Sequence, residues 1–317
     1  MTASFRNQEH TDSYYAATAV EETRYPVLEG RQTADICIVG GGFTGLATSL
    51  MLAERGYSVV LLEANRVGWG ASGRNGGQLI NGISGLARVQ KKYGDGIADM
   101  LWELRWRGNE IVHDWVDKYG IDCDLKDGFV ETALKPRHLR DLEDYAEELG
   151  RRGHPHRWEV WDRQTTQDNL GTEAFLGGLA SYRDGHLHPL NLCIGEARAA
   201  TGLGVRIFEQ TTVTGIRHGP RPLVRTDRGG IEAETVVLAG NAYHRLEPKH
   251  LSNLVFPAGS FIIATEPLPE AVVERINPLD LAVCDMNEIV DYWRLSADKR
   301  LLYGGRCKYS GREPASI

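Results

Sequence analysis

The feature that most restricts this chain is a run of glycines set between two apolar segments. Gly40-Gly41-Gly42-Phe43-Thr44-Gly45 follows Ile36-Cys37-Ile38-Val39, which is long enough for a buried strand. Residues 46–55 continue with helical spacing and close at Gly56. Ser58-Val59-Val60-Leu61-Leu62 then reads as a second buried strand, ended by Glu63. Strand, glycine turn, helix and strand in succession make a βαβ unit. The run matches G-x-G-x-x-G in the context that pattern requires, with an acid 63 − 40 = 23 positions after its first glycine.

Each position has a physical reason. Gly40 permits the tight turn, Gly42 lets backbone amides approach a pyrophosphate, and Gly45 lets the helix pack close on the strand. Phe43 and Thr44 fall in the first helical turn, where free N–H groups and the helix dipole attract phosphate. Glu63, with Ala64 beside it, is placed to accept hydrogen bonds from ribose hydroxyls. Its charge would repel a 2′-phosphate, which disfavours NADP.

A second glycine-dense stretch separates FAD from NAD. Gly68-Trp69-Gly70-Ala71-Ser72-Gly73-Arg74-Asn75-Gly76-Gly77 carries five glycines in ten residues, which is entropically costly unless the backbone must press on a ligand. Ala71, Ser72 and Arg74 are candidates for phosphate contact, and Asn75, Gly76 and Gly77 for a path along a flavin. Two rivals stay open on the residues alone: an NAD-dependent dehydrogenase using the same turn, and a nucleotide-binding module without catalysis.

Composition removes other classes. Lys and Arg number 36 against 43 Asp and Glu, a net charge of −7, which argues against a nucleic-acid surface. No apolar run approaches the roughly 20 residues of a membrane span, and the polar start of the chain has no secretory pattern. The five cysteines, Cys37, Cys123, Cys193, Cys284 and Cys307, are too scattered for a disulfide framework or a zinc site, and read as reduced thiols of a cytoplasmic protein. His186 and His188 share a strand face but lack further ligands, so a packing role is expected and no metal.

The rest of the chain gives a coarse outline. Residues 1–30 read as an arm lying on the body, with Tyr14, Tyr15, Tyr25 and Pro26 as contacts. Residues 64–86 are irregular. A long helix is expected over residues 95–119, with Leu101, Leu104, Ile111 and Trp115 on its buried face and Trp102 and Trp106 as a core pair. Helices follow over 137–151 and 190–200. Strands are expected at 129–134, 205–208, 211–216, 235–239, 260–265, 289–295 and 301–303, with residues 296–300 as a hairpin loop.

On these residues the chain resembles the flavin-dependent amine and amino-acid oxidases of the D-amino-acid oxidase type, which include glycine oxidase and sarcosine oxidase. The stretch from Gly68 to Gln78 is similar in particular to the bacterial branch acting on gamma-glutamylputrescine. Asp184-Gly185-His186-Leu187-His188-Pro189-Leu190 resembles the family segment entering the second half of the FAD domain. Residues 211–216 resemble the strand whose backbone meets the adenine, which points to Val213. Residues 235–242 resemble the turn near the pyrophosphate, which points to Gly240. Pro257 and residues 260–267 resemble the strand that re-enters the substrate domain.

The resemblance implies an α/β protein. A discontinuous Rossmann-like FAD-binding domain would span 31–86 and 191–246. An α+β substrate domain with a mainly antiparallel sheet would span 87–190 and 247–317. It implies hydride transfer from the carbon next to nitrogen of an amine or amino acid, with oxygen or another acceptor taking the electrons. Tyr292 and Arg294 share a strand face by alternation. Arg294 is the expected clamp for a substrate carboxylate and Tyr292 a hydrogen-bonding neighbour. Tyr243 and His244 are weaker candidates. Family members usually continue further, to a glycine-rich motif against the flavin. The end at Pro314-Ala315-Ser316-Ile317 therefore suggests that part of the flavin site and some apolar surface lie open here.

Overall fold

The computed structural model describes residues 6–82, 86–244, 246, 251, 254, 255 and 258–308. Pro257 and residues 309–317 lie outside the described residues.

The apolar run before the glycines becomes the end of β1 (Gly30–Val39), and the run after them becomes β2 (Val59–Leu62), with α2 (Phe43–Ala53) between. All four residues of β2 are buried, as a strand covered on both faces requires. β1 lies between β2 and β10 (Gly229–Leu238), parallel to both. β7 (Arg206–Phe208) extends the parallel part beyond β2. β9 (Leu223–Thr226) and β8 (Val213–Arg217) close the other edge antiparallel, giving a six-stranded sheet. On one face Leu46 and Leu50 of α2 pack with Leu192, Cys193 and Ala197 of α7 (Pro189–Gly202) over Ile36, Ile38 and Leu61.

A second sheet of eight strands takes its members from distant parts of the chain. Its order is β11 (Gly259–Pro267), β14 (Arg300–Lys308), β13 (Tyr292–Leu295), β12 (Ala282–Asp285), β4 (Lys126–Ala133), β6 (Gly177–His186) and β3 (Gln78–Leu79), with β5 (Trp158–Trp161) also on β6. The β12–β4 pair is parallel and the other described pairs are antiparallel. α4 (Asp95–Tyr119) and α5 (Pro136–Arg151) cover part of one face, where Trp102, Trp106 and Leu142 pack with Ala133 and Leu179. On the opposite face Val130, Ala180 and Val283 pack with Trp161 and with Leu170 of α6 (Arg163–Leu170). α3 (Leu86–Tyr93) lies along α4, and α8 (Glu270–Ile276) lies on α6.

The long helix has the expected bounds, and Trp102, Trp106 and Trp115 are buried as expected, but Leu104 is not on the buried stripe. Ala98, Trp102, Trp106, Asn109 and His113 recur at spacings of three and four and are buried, whereas Leu104 is 51% exposed. β1 starts well before the apolar run, because its polar first half pairs with β10 from Gly229 onward. The β13–β14 hairpin has the expected loop: Leu295 pairs with Leu301. Among the described residues no helix is long and apolar enough to cross a membrane.

The arm lies on the body. Its single turn α1 (Tyr14–Ala17) is capped by Ser13, and Tyr15 is buried against Leu190, Ile194 and Leu302. Ahead of it, Asn7 donates its amide to the Ala64 carbonyl at 3.1 Å.

Candidate functional site

The site grows from the turn after β1. Gly40 has φ +116°, open only to glycine at low cost, and an added Cβ would sit 2.6 Å from the Ala239 carbonyl oxygen. A Cβ on Gly45 would overlap the Gly40 carbonyl oxygen, so α2 rests directly on the turn. Gly42 is the N-cap of α2 and offers no side-chain cap; the Ser72 Oγ accepts the Phe43 amide instead, at 3.0 Å. A Cβ on Gly42 would stand 2.6 Å from that hydroxyl oxygen. The first-turn amides of a helix have no intrahelical acceptor, so those of α2 beyond Phe43 form an anion site. Thr44 lies in that turn, its carbonyl accepting from the Thr48 hydroxyl at 2.6 Å.

Glu63 stands at the end of β2 beside this turn. Its carboxylate accepts the Gly41 amide at 2.7 Å and the Asn65 amide at 2.8 Å. Burial pushes its carboxyl above the usual carboxylate range, and those two amides oppose the shift. A fixed acid one strand-end away from a glycine-lined anion site is the arrangement a dinucleotide requires.

The second glycine stretch is bonded to the first. Gly68 donates to the Gly41 carbonyl at 2.9 Å. Ala71–Gly73 forms a short 3-10 turn that presents Ser72 to α2. Asn75 ties the next residues together: its Nδ2 donates to the Ser72 carbonyl at 2.8 Å, and its Oδ1 accepts the Gly77 amide at 2.8 Å. Gly77 has φ +70°. The Arg74 guanidinium lies 4.7 Å from the Trp69 ring centre and donates to the Thr11 hydroxyl of the arm at 3.2 Å. Trp69 is buried, and meets Tyr243 edge-on with ring centres 5.7 Å apart. The Gly240 turn lies against Gly40, and a Cβ on Gly240 would reach the His244 ring at 2.7 Å. Val213 begins β8 opposite Thr226, half-buried against the core of the first sheet.

An ion network that sequence reasoning missed lies under this stretch. The Glu209 side chain has no solvent exposure. It accepts from Arg66 at 2.9 Å, from the Val67 amide at 2.8 Å, from the Tyr25 amide at 3.2 Å and from the Thr23 hydroxyl. Arg66 also pairs with Glu9 of the arm at 2.6 Å. Nothing local marks Glu209 in the sequence; its partners come from two distant segments, around Thr23 and Arg66.

Tyr292 and Arg294 do share a face, and both meet the second glycine stretch. A Cβ on Gly76 would strike the Tyr292 ring at 2.6 Å, and one on Gly77 would stand 2.6 Å from the Arg294 guanidinium. Gly304, paired with Tyr292 across β13 and β14, leaves room for the ring on its other side. The expectation of a carboxylate clamp is corrected for Arg294. It is 2% exposed and donates to the Gly76 carbonyl at 2.7 Å, the Leu295 carbonyl at 3.1 Å and the Tyr15 hydroxyl at 3.2 Å. This guanidinium holds a loop and the arm rather than facing an open pocket.

The histidines have structural partners. His188 caps α7 through the Asn191 amide at 3.1 Å, and His186 donates to the Asp280 carbonyl at 2.7 Å. Burial, reinforced by the Arg294 charge, pulls both down to about 4, so both are neutral near pH 7. His244 accepts the Leu246 amide at 3.2 Å.

Comparison with known proteins identifies the family. The family described as FAD dependent oxidoreductase (DAO) matches residues 35–317. Gamma-glutamylputrescine oxidoreductase of Escherichia coli is 41% identical over 312 residues, covering 98% of this chain and 73% of that protein. A probable oxidoreductase OrdL of Haemophilus influenzae is 40% identical over 307 residues, covering 95% and 71%. Among solved structures, an L-amino acid deaminase from Proteus vulgaris aligns with TM-score 0.70 at 22% identity, covering 90% of this chain and 63% of that one. Glycine oxidase from Geobacillus kaustophilus aligns with TM-score 0.66 at 22% identity, covering 87% and 72%.

Proposed function

Given that the chain belongs to the FAD-dependent oxidoreductases of the DAO family, we propose that it oxidises the C–N bond of an amine, with a gamma-glutamylputrescine-like compound as substrate. One observation carries the cofactor reading: Gly40, Gly42, Gly45, Glu63 and Ser72 converge on one helix start, so closely that a Cβ on Gly42 would stand 2.6 Å from the Ser72 hydroxyl oxygen. FAD, when bound, accepts a hydride from the carbon next to the substrate nitrogen.

The chain's own residues then have these roles. The amides of the α2 first turn, with Phe43 and Thr44, hold the pyrophosphate. Glu63 binds the ribose and Ala64 borders it. Val213 and Gly240 line the adenine and pyrophosphate ends. Ala71, Ser72, Arg74, Asn75, Gly76 and Gly77 carry the flavin loop, which Arg294 fixes from below. Tyr292 stands at the loop's substrate side. We assign the FAD-binding part to the expected 31–86 and 191–246 and the substrate part to 87–190 and 247–317, with the first boundary moved forward. The switch between sheets falls before Gln78, since β3 already pairs in the second sheet. Oxygen or another acceptor takes the electrons. All five cysteines are free and four are buried, which fits a cytoplasmic setting.

The test is direct. Purified protein is expected to be yellow, with a band near ~450 nm from bound flavin, and the band should bleach anaerobically with gamma-glutamylputrescine. A colourless protein that takes up no FAD overturns the cofactor reading. A yellow protein that no amine bleaches overturns the amine reading.

A further inference from the structure

The rung of the second sheet that crosses Tyr292 carries a carboxylate with no role so far. Tyr292 pairs with Cys284, Cys284 with Glu131, and Glu131 with Leu179. Alternation along β4 puts Phe129, Glu131 and Ala133 on one face and Val130 on the other. Packing agrees. Phe129 clusters with Ala282, Cys284 and Tyr292, and Ala133 with Trp102, Trp106 and Leu142, whereas Val130 packs on the opposite side with Trp161 and Val283. Glu131 therefore stands between the α4–α5 cover and Tyr292, on the face where the Tyr292 ring meets Gly76. Two strand spacings, about 10 Å, separate it from Tyr292.

Glu131 is half-buried in mid-strand, and its side chain makes no hydrogen bond or ion pair with the described residues. Burial alone holds its carboxyl above the usual range, with no cation or amide to offset it. A carboxylate partly withdrawn from water with no protein partner is a position a cation would favour. Asp184, a buried acid on the same sheet, differs: it accepts from the Asn81 amide at 2.8 Å and from Asn109 at 2.6 Å. The surroundings suit a cationic ligand. Tyr145, pushed up to about 12 mainly by burial, also feels the charge of Glu131. Arg105, already donating to Tyr145, lies over the Trp102 and Trp106 rings at 4.6 and 4.8 Å, which shows that this aromatic wall accepts a cation.

We propose that Glu131 anchors a second cationic nitrogen of the substrate, remote from the C–N bond presented beside Gly76 and Tyr292. The inference rests on the amine-oxidising reading and narrows it to amines with a positive group at each end. Long diamines qualify, as does an amine extended by an amino-acid head. A positive group at the far end replaces the missing partner of the carboxylate, and a neutral chain end leaves it unpaired.

The experiment compares octamethylenediamine with octylamine, by calorimetry on the purified flavoprotein and on its Glu131→Gln and Glu131→Asp variants. Wild-type protein is expected to prefer the diamine, and Glu131→Gln to lower that preference by about tenfold or more. Glu131→Asp should retain part of it. The Tm of Glu131→Gln should be unchanged or higher, because a desolvated charge has been removed; a purely structural carboxylate would show a fall. An unchanged preference in Glu131→Gln, a wild type without preference, or a lowered Tm overturns the proposal. Flavin bleaching by amines is read separately. Bleaching with an unchanged preference sinks only the anchor, and a lost preference without bleaching sinks only the oxidase reading.

Discussion

The two sheets differ in how they hold their functional groups. In the first, the site is main chain: helix-start amides and glycines whose missing side chains leave room, with two carboxylates tied down by backbone N–H groups. In the second, the proposed site is side chains on a rung assembled from β4, β12 and β13, which lie far apart in sequence. The first region is proposed to bind something constant, a nucleotide diphosphate, and geometry fixed by backbone serves that. The second must fit one substrate among many, which side chains on a common sheet can do without changing the strands. The arm and Arg294 join the two regions, since both grip the second glycine stretch.

The largest effect that would break this contrast belongs to Glu209. Replacing it with alanine removes the buried one of Arg66's two carboxylate partners and leaves the Val67 and Tyr25 amides unpaired, and is expected to cost about 3–5 kcal/mol in denaturant unfolding. A loss below about 1 kcal/mol would mean the loop does not depend on that network. Arg294→Ala comes next. It leaves the Gly76 and Leu295 carbonyls unpaired in a buried place, so a loss of about 2–4 kcal/mol and faster FAD release are expected. Its KM should change alike for carboxylate-bearing and simple amines; a selective rise for the former would restore a clamp role. The smallest effect concerns Glu196 in α7, which is 2% exposed and pushed up by burial to about 8. Its folded form holds a proton that the unfolded chain releases near pH 4.5, so stability falls as pH rises between those values and levels off above about 8. Glu196→Gln should therefore raise Tm by about 2–4 °C at pH 8 and by less at pH 5. An equal rise at both values would contradict the assignment.

The first region was largely legible in the sequence because its requirements are local. Gly40 must take a positive φ, Gly45 must let a helix touch a strand, and Glu63 ends the adjacent strand; all fall within one short βαβ unit. What hid elsewhere depended on distant pairing. β6, with sequence GGLASYRDGH, carries little strand signal and exists because β3, β4 and β5 pair with it. The polar start of β1 is a strand only because Gly229 and its neighbours lie alongside. On α4 the expected core pair Trp102 and Trp106 does go inward, but Leu104, which follows a helical period too, faces out, because the partner sheet meets the tryptophan side. Arg294 was placed on the right face with the wrong partner, since nothing near it in sequence announces the Gly76 carbonyl.

The central claim is that a dinucleotide diphosphate lies against the bare backbone at Gly42. The most direct measurement is FAD stoichiometry in purified Gly42→Val beside the wild type, with circular dichroism to confirm that both are folded. The expected result is a folded, colourless variant beside a yellow wild type. A folded variant that keeps its full complement of flavin would contradict the claim.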